Sequence, residues 1–253
     1  WRGTPIGKEN NIVPSAAGLL QGPVYDPHDP DPRRRFKGLR YGGGKLQSAA
    51  SADLLKWERA SARKALGLHN EKPILLVTGG SRGARSINQA VLAHLPFLLD
   101  LAQVIHVSGE LDWPTVEAAA RSQSETRRRD YHVFPYLHEE MGAALAASDL
   151  VVSRAGASTL GEYPLLGLPA VLVPYPHAWR YQMVNADYLA SRGAAVVLED
   201  HRLKEKLPVL AQSLLKDAGK REKMREALRA LARPQAARQI AQQLFELAEE
   251  VRP

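Results

Sequence analysis

Short apolar runs alternate with helix-like patterns through the middle of the chain. Buried strands are indicated by apolar runs at residues 73–78, 103–107, 131–135, 149–152, 170–174 and 194–198. The stretches between them predict helices over residues 85–99, 115–121, 138–147, 163–167 and 180–191. Near-continuous apolar strands separated by helices are typical of a parallel sheet covered on both faces. The pattern therefore predicts an α/β fold, a Rossmann-like doubly wound parallel sheet.

The two ends of the chain depart from this alternation. Residues 1–50 lack periodicity and are rich in proline and glycine, which predicts a largely irregular segment. A helix is predicted over residues 52–66 and ends at Gly67, and residues 203–251 form a predicted C-terminal helical segment. The expected breaks in that segment are Pro208, Gly219 and Pro234.

The turn after the strand at residues 149–152 carries the first candidate chemistry. In residues 153–162, Gly156 lets the backbone approach a ligand and Ser158 is a suitable N-cap. The free N–H groups and positive end of the following helix would suit a phosphate. Glu162 lies one helical turn after Ser158, where a carboxylate could bind ribose hydroxyls. An ordinary capped helix with a surface glutamate is the alternative, and this turn alone does not decide between them.

A second glycine-rich turn, residues 79–84, follows the strand at residues 73–78. Ligands of open α/β sheets bind beyond the carboxyl ends of the strands, which is where both turns would lie. Two anion-binding turns at one edge favour a nucleotide site. Because the turn at 79–84 has neither the Gly-Lys-Ser/Thr of a P-loop nor the spacing of the dinucleotide fingerprint, P-loop phosphoryl transfer is not predicted.

A third segment, residues 174–186, leaves a strand at the same edge and enters a helix. Gln182 and Asn185 are three residues apart in it and can face the same way. Their amides can donate and accept hydrogen bonds, which suits sugar hydroxyls. Helix capping or surface polarity explains the same two residues equally well.

The composition of the chain favours anionic partners but does not distinguish one class of anion from another. The 253-residue chain carries a formal net charge of +7 and no cysteine, so thiolate chemistry is excluded. Its basic clusters are residues 33–40 and residues 127–129, the second of which fits a solvated turn. Aromatic residues do not interleave with these clusters, so nucleic acid is not a predicted partner. No apolar run approaches a membrane span, and a cytoplasmic protein is predicted. No metal site and no cofactor are assigned.

With these motifs in place, the chain resembles the C-terminal, donor-binding half of MurG-type glycosyltransferases of the GT-B fold. Those enzymes transfer N-acetylglucosamine from UDP-N-acetylglucosamine to the undecaprenyl-diphosphate-linked muramoyl-pentapeptide of peptidoglycan synthesis. The matching residues are 79–84 with Asn88, 153–160 with Glu162, 167–169 with 173–177, and Gln182 with Asn185 and Ala186. His106 and Gly109 also match the end of a family strand, with a structural role for His106 as likely as a ligand contact.

The resemblance implies a role for each motif. The residues implied at the donor diphosphate are Ser81, Asn88, Gly156, Ala157, Ser158 and Thr159. The residues implied at the uracil and the ribose are Tyr136, Leu137 and Glu162. The residues implied at the sugar are Gln182, Asn185 and Tyr181, the last standing where the family usually has His or Gln. The reaction would be an inverting, metal-independent transfer, and no catalytic residue is assigned.

The other half of the family's architecture is not evident. The Gly-Gly-x-Gly-Gly-His loop that binds the lipid acceptor and supplies the general base does not occur in the sequence. Residues 1–66 are therefore expected to be an irregular remnant of the acceptor domain plus a linker helix, as in a truncated gene product, and residues 67–253 the donor domain. A non-catalytic UDP-sugar-binding module that needs a partner acceptor subunit and a GT-B UDP-N-acetylglucosamine epimerase are the alternatives. The family works at the inner face of the cytoplasmic membrane.

Overall fold

A computed structural model describes residues 54, 56–80, 82–177, 181–236, 239 and 242, and the backbone of short strands before residue 48. The chain divides into two compact units, residues 57–232 and residues 1–56 with 233–253. In the latter, short antiparallel pairs join Ile12–Ser15 to Gly18–Gln21, Val24–Tyr25 to Phe36–Lys37, and Arg40–Gly42 to Lys45–Gln47. The prediction of a largely irregular segment over residues 1–50 missed these pairs.

The unit at residues 57–232 is built on a six-stranded parallel sheet. Its strands are β1 (Ile74–Thr78), β2 (Gln103–Val107), β3 (Tyr131–Phe134), β4 (Leu150–Ser153), β5 (Ala170–Leu172) and β6 (Ala195–Val197). The order across the sheet is β6-β5-β4-β1-β2-β3, and every pair is parallel. The doubly wound sheet predicted from the apolar runs is confirmed.

Ten α-helices and a 3-10 turn are described around the sheet. They are α1 (Arg59–Ala65), α2 (Arg85–Ala93), α3 (Leu95–Leu101), α4 (Trp113–Arg121), α5 (Glu125–Arg128), α6 (Met141–Ala147), α7 (Thr159–Leu166), α8 (Tyr181–Ala190), the 3-10 turn Asp200–Arg202, α9 (Leu203–Lys216) and α10 (Ala218–Leu231). Helix α9 packs on α2 and α3, α10 on α7, and α1 on α6. The buried core lies between these helices and the strands.

Two proline positions correct the predicted helix boundaries. The single helix predicted over residues 85–99 ends at His94, and a new helix begins with Pro96 in its first turn, where a missing N–H is tolerated. Conversely, Pro208 does not break α9. Proline leaves the carbonyl four residues earlier without its helical donor, and the imidazole Nε2 of His94 lies 2.7 Å from that oxygen on Lys204. A tertiary hydrogen bond thus replaces the bond that Pro208 removes.

The strand order reverses between β1 and β4. From β1 the chain winds outward through β2 and β3, and from β4 it winds outward on the other side through β5 and β6. This reversal is the topological switch point, where the loops after the two strands diverge and leave a crevice. The turns after β1 and β4 are the two glycine-rich turns of the sequence, so the topology brings both candidate anion sites to one crevice.

The opposite edge of the sheet is held by one carboxylate. Asp149, immediately before β4, is 6% exposed and accepts hydrogen bonds from the guanidinium groups of Arg59, Arg63 (3.0 Å) and Arg225 (3.5 Å). It also accepts from the backbone N–H of Ile74 at 2.9 Å. Asp149 therefore ties α1 and α10 to the start of β1, far from the crevice.

The basic cluster at residues 127–129 is an ion-paired surface. Arg127 lies 3.1 Å from Asp100, and Arg129 lies 2.8 Å from Glu71. The prediction of a polar turn was wrong for residues 127 and 128, which belong to the short helix α5, but the ion pairs show that two of these cations already have carboxylate partners. The other basic cluster, residues 33–40, lies outside the described side chains.

Candidate functional site

The turn after β1 closes through glycine. A Cβ on Gly79 would lie 2.1 Å from the backbone nitrogen of Ala84, so the two ends of the turn pack backbone to backbone. Gly83 has a φ of +72°, and its Cβ would lie 2.2 Å from the carbonyl oxygen of Ser108 in the turn after β2. Both contacts leave no room for a side chain. Ser81, predicted at the diphosphate, lies outside the described residues.

Helix α2 begins at the end of this turn without a side-chain cap, since Ala84 precedes it. The first N–H groups of a helix have no carbonyl partner within the helix. Because α2 follows β1, these donors and the positive end of its dipole lie at the carboxyl edge of the sheet. An anion in the crevice would meet them.

Asn88 holds the Ser108 carbonyl, against which the Gly83 backbone packs. Its side chain is buried, and its amide nitrogen donates to the Ser108 carbonyl (2.8 Å) and to the Asp112 carboxylate (2.9 Å). Neither acceptor can donate, so the amide oxygen must face the ring nitrogen Nε2 of His106, 2.9 Å away. A direct contact with a diphosphate would require the Asn88 amide to leave one of these bonds, and that predicted contact stays a prediction.

His106 continues the same network into the core. Its Nε2 donates to Asn88, which makes Nδ1 the acceptor for the hydroxyl of Tyr131 at 2.8 Å. Burial lowers the pKa of His106 to about 3, so the ring is neutral at physiological pH. Of the two roles left open for His106, these contacts favour the structural one.

Asn88→Ala should lower the free energy of unfolding by about 2 kcal/mol, because the buried His106 ring and the Ser108 carbonyl would lose their partner. Urea denaturation followed by circular dichroism measures this change. Gln89→Ala, on the exposed side of α2, is the control and should stay within about 0.5 kcal/mol of the unsubstituted chain. Equal effects of the two substitutions would contradict a supporting role for Asn88.

The turn after β4 presents free backbone donors. Thr159 donates to the Gly156 carbonyl through both its N–H (3.1 Å) and its hydroxyl (2.6 Å), which closes the turn onto α7. Within the described part of the chain, the N–H groups of Gly156, Ala157 and Ser158 have no acceptor. A Cβ on Gly156 would project into open space. The turn is therefore open to a ligand and lined with donors, as an anion site requires.

Ser158 occupies the N-cap position of α7, but the prediction that its side chain caps the helix was wrong. Its backbone is already helical, with φ −60° and ψ −29°, and its hydroxyl makes no cap hydrogen bond. The carbonyls of Gly156 and Ala157 accept from the N–H groups of Thr159 and Leu160 instead. The tight turn thus supplies from the backbone what a capping side chain would otherwise supply.

Glu162 is the titratable group of this site. It is half-buried in the first turn of α7. Burial raises the pKa of its carboxyl group to about 7, and the Ser158 hydroxyl opposes part of that shift. A carboxyl group that titrates near neutral pH beside a row of N–H donors is typical of a functional site.

The helix α8 and the loop before it are held to the crevice by the two predicted amides. Gln182 accepts from the Tyr175 N–H at 2.8 Å, and Asn185 donates to the Ala155 carbonyl at 3.0 Å. Asn185 is buried, and its amide oxygen has no partner among the described residues. Each amide therefore fixes a loop at the crevice, and their predicted contacts with a sugar stay predictions. Tyr181 is exposed at the start of α8.

Tyr136 and Leu137 lie at the same edge but after β3, two strands from β1. Tyr136 is exposed and its ring packs against His138 with 4.7 Å between centroids, whereas Leu137 is buried. The predicted backbone contacts with a uracil are compatible with this position and stay untested.

Arg154 lies in the turn after β4, and the sequence predicts no role for it. Its guanidinium donates to the Asp200 carboxylate at 2.5 Å, to the Val173 carbonyl at 3.2 Å and to the Ser86 hydroxyl at 2.8 Å. It also lies over the Tyr175 ring, 5.1 Å from the centroid. Each of these residues follows a strand or begins a helix at the carboxyl edge. Because they all follow strands or begin helices, the sequence could have placed them at one edge of the sheet. Only the structure shows that they are in contact.

The model of the glycosyltransferase family 28 C-terminal domain matches residues 74–244, which contain both glycine-rich turns and the helix α8. Similar curated proteins are each named UDP-N-acetylglucosamine--N-acetylmuramyl-(pentapeptide) pyrophosphoryl-undecaprenol N-acetylglucosamine transferase. That of Roseiflexus sp. (strain RS-1) is 46% identical over 75% of this chain and 47% of its own length. That of Chlorobium limicola is 38% identical over 85% and 57%. The chain thus spans about half the length of these relatives.

Solved structures share the fold, and one of them is a MurG. The crystal structure of Acinetobacter baumannii MurG is 26% identical, with a TM-score of 0.58 over 77% of this chain and 55% of that one. A UDP-N-acetylglucosamine 2-epimerase, 20% identical with a TM-score of 0.51 over 76% of this chain and 47% of that one, shares the fold. The predicted resemblance to MurG-type glycosyltransferases of the GT-B fold is confirmed. The chain belongs to glycosyltransferase family 28, through that family's C-terminal domain at residues 74–244.

Proposed function

We propose that residues 67–253 are the donor domain of a transferase that moves N-acetylglucosamine from UDP-N-acetylglucosamine to the undecaprenyl-diphosphate-linked muramoyl-pentapeptide. The observation that carries this proposal is that the start of α2 and the turn before α7 both present, among the described residues, N–H groups without an acceptor at one switch point, with Glu162 beside the second. Two helix N-termini in one crevice suit a diphosphate. The names of the relatives supply the donor sugar and the acceptor.

The donor would lie along the carboxyl edge of the sheet. Its diphosphate would accept hydrogen bonds from the N–H groups of residues 156–158 and from the turn that holds Ser81 and the start of α2. Thr159, whose N–H and hydroxyl donate to the Gly156 carbonyl, would keep the second turn closed, and Asn88 would hold the neighbouring Ser108 carbonyl in place. Glu162 would accept from the ribose hydroxyls. The uracil would lie toward Tyr136 and Leu137, and the sugar toward Tyr181, Gln182 and Asn185.

These residues serve the leaving group. In an inverting displacement, negative charge develops on the departing UDP diphosphate as the bond to the anomeric carbon breaks. Fixed N–H groups at two helix ends would stabilise that charge without reorganising. We assign no residue of 67–253 to deprotonation of the acceptor hydroxyl, which belongs to the acceptor-binding half of the reaction.

The alternative, a donor-binding module that needs a partner, is favoured by one observation. Among the described residues, six of the eight large apolar side chains that are exposed belong to the segments that follow β2, β3 and β5 or to the first turn of α8: Leu111, Tyr136, Tyr175, Tyr181, Met183 and Val184. A donor site rimmed by apolar side chains is suited to closure by a second protein surface. In that case the isolated chain would bind the donor and transfer nothing.

Incubation with radiolabelled UDP-N-acetylglucosamine and a lipid-linked muramoyl-pentapeptide separates these functions. Radioactivity in the lipid product supports the transferase. Donor binding without product supports the module that needs a partner. Conversion of the sugar nucleotide with no acceptor present would support an epimerase and would overturn the transfer proposal.

The affinity for UDP-N-acetylglucosamine should depend on pH through Glu162. The carboxyl group, with its pKa of about 7, must be ionised to accept two ribose hydrogen bonds. Between about pH 8 and about pH 6 the ionised fraction falls by about tenfold, so the affinity should fall by a similar factor. Calorimetric titrations at each pH measure the affinity. The diphosphate of UDP-N-acetylglucosamine does not titrate over this pH range, so it does not contribute to the change. Glu162→Gln is the matched control, and a pH dependence that survives in it would exclude Glu162 as the source.

We also propose that the protein works at the inner face of the cytoplasmic membrane, as the resemblance implies. None of the described helices combines the length and apolar character needed to cross a bilayer. The net charge of +7 would favour anionic lipid headgroups. Sedimentation with vesicles should show more bound protein on anionic than on neutral lipid, and equal binding would argue against the proposal.

A further inference from the structure

Arg154 joins the two glycine-rich turns across the switch point. It follows β4 in the second turn, and Ser86, whose hydroxyl accepts from it at 2.8 Å, lies in the first turn of α2, directly after the first. The two residues are 68 positions apart in the chain. This bond therefore runs from the second turn to the start of the helix that follows the first turn, and it links the N–H donors on the two sides of the switch point.

Arg154, Ser86 and Asp200 are joined pairwise by hydrogen bonds, which holds the bond between Arg154 and Ser86 in place. Asp200, after β6, accepts from the Arg154 guanidinium and also from the Ser86 hydroxyl at 2.7 Å. The Ser86 hydroxyl therefore donates its one proton to Asp200 and accepts a hydrogen bond from Arg154. The Arg154 side chain is 11% exposed, and a planar guanidinium with partners on two sides has little freedom to rotate.

The same guanidinium reaches the loop on the sugar side of the crevice. It donates to the Val173 carbonyl after β5 and lies over the ring of Tyr175. The Gln182 side chain accepts a hydrogen bond from the Tyr175 backbone N–H. Arg154 thus contacts the ends of β5 and β6 and the start of α2 while its own backbone lies in the turn after β4.

We propose, building on the proposed donor site, that Arg154 is the positioning residue that sets the separation of the two diphosphate-binding turns. It acts through Ser86 and Asp200, whose carboxylate offsets its charge, and the backbone N–H groups make the contacts with the ligand. Its loss would misplace the diphosphate donors relative to each other. The part of the site that receives the nucleoside would stay in place, since Glu162 and residues 136–137 have no bond to Arg154 among the described contacts.

The test compares UDP with uridine, which lacks the diphosphate. Dissociation constants are measured by NMR titration for the unsubstituted chain, Arg154→Lys and Ser86→Ala. Arg154→Lys keeps the charge but not the planar fork, and Ser86→Ala removes only the hydroxyl that bridges the turns. We expect Arg154→Lys to weaken UDP binding by about tenfold and uridine binding by less than about twofold. Ser86→Ala should change the ratio of the two affinities in the same direction and should fold even where Arg154→Lys does not.

Arg63→Lys is the matched control. Arg63 is 12% exposed and pairs with the buried Asp149 at the opposite edge of the sheet, so its substitution disturbs a similar ion pair away from the crevice. It should leave the UDP-to-uridine ratio unchanged. A parallel loss of both ligands in the Arg154 and Ser86 variants, or an equal change of the ratio in Arg63→Lys, would overturn the positioning role and leave the donor site standing. Failure of the unsubstituted chain to bind UDP would overturn both.

Discussion

Gly83→Ala should destabilise the sheet unit by about 4 kcal/mol and abolish measurable UDP binding. The added Cβ would lie 2.2 Å from the Ser108 carbonyl oxygen, and Gly109, on the facing turn, already approaches so closely that its own Cβ would meet the Gly83 Cα at 2.6 Å. Both partners are backbone, so neither can rotate away. The φ of +72° adds strain for any residue with a Cβ. Thermal unfolding and a UDP titration measure the two effects.

Gly80→Ala separates the clash from the backbone strain. Gly80 has a φ of +79° in the same turn, but a Cβ there would have no heavy atom within 4 Å. It should therefore cost only about 1 kcal/mol, the strain of a left-handed backbone for alanine. Equal stability of the two alanine variants would contradict the close packing of the turn after β1 against the turn after β2.

Asp149→Ala should lower the free energy of unfolding by about 3 to 5 kcal/mol, because it leaves arginines buried without their carboxylate. Arg63 and Arg225 both donate to Asp149 from mostly buried side chains, and the Ile74 N–H would also lose its acceptor. Guanidinium denaturation measures the loss. Asp100→Ala, which removes an exposed partner of Arg127, is the control and should change stability by less than about 1 kcal/mol.

Acid should weaken the same contact. Burial alone would raise the pKa of Asp149, but hydrogen bonds from Arg59 and the Ile74 N–H hold it below its ordinary value. A carboxyl group whose pKa is lower in the folded than in the unfolded state contributes its stability above the unfolded pKa. That contribution is lost as the pH falls through the folded-state pKa. Asp149→Ala should therefore lose less stability than the unsubstituted chain at acid pH, and equal losses would argue against the ion pair.

The sheet was predictable from the sequence because β1, β2, β4 and β5 are buried along their whole length. These strands are short, mainly apolar runs, so the local pattern places them within one or two residues of the observed bounds. Helix ends depend on contacts that no local pattern contains. The sequence predicts a helix break at Pro208. The break is avoided because the His94 imidazole, 110 residues before Lys204, makes a hydrogen bond with the Lys204 carbonyl.

The position of the candidate site was predictable, but the partners of its polar side chains were not. Strand, glycine turn and helix in succession place residues 79–84 and 153–162 at one edge. Whether an amide at that edge faces a ligand or the protein depends on neighbours distant in the chain. Asn88 and Asn185 are both buried and donate to backbone carbonyls, of Ser108 after β2 and of Ala155 after β4. Arg154, 46 residues before Asp200, could not be paired with it from the sequence.

The central claim, a UDP-sugar donor site at the switch point, is tested most directly by calorimetric titration of the chain with UDP-N-acetylglucosamine at about pH 8, where the Glu162 carboxyl group is mostly ionised. The account predicts saturable binding at one site, weakened by about 1 to 3 kcal/mol in Glu162→Ala, the cost of hydrogen bonds lost from a charged group. Heat of binding that is absent, or unchanged in Glu162→Ala, would contradict it.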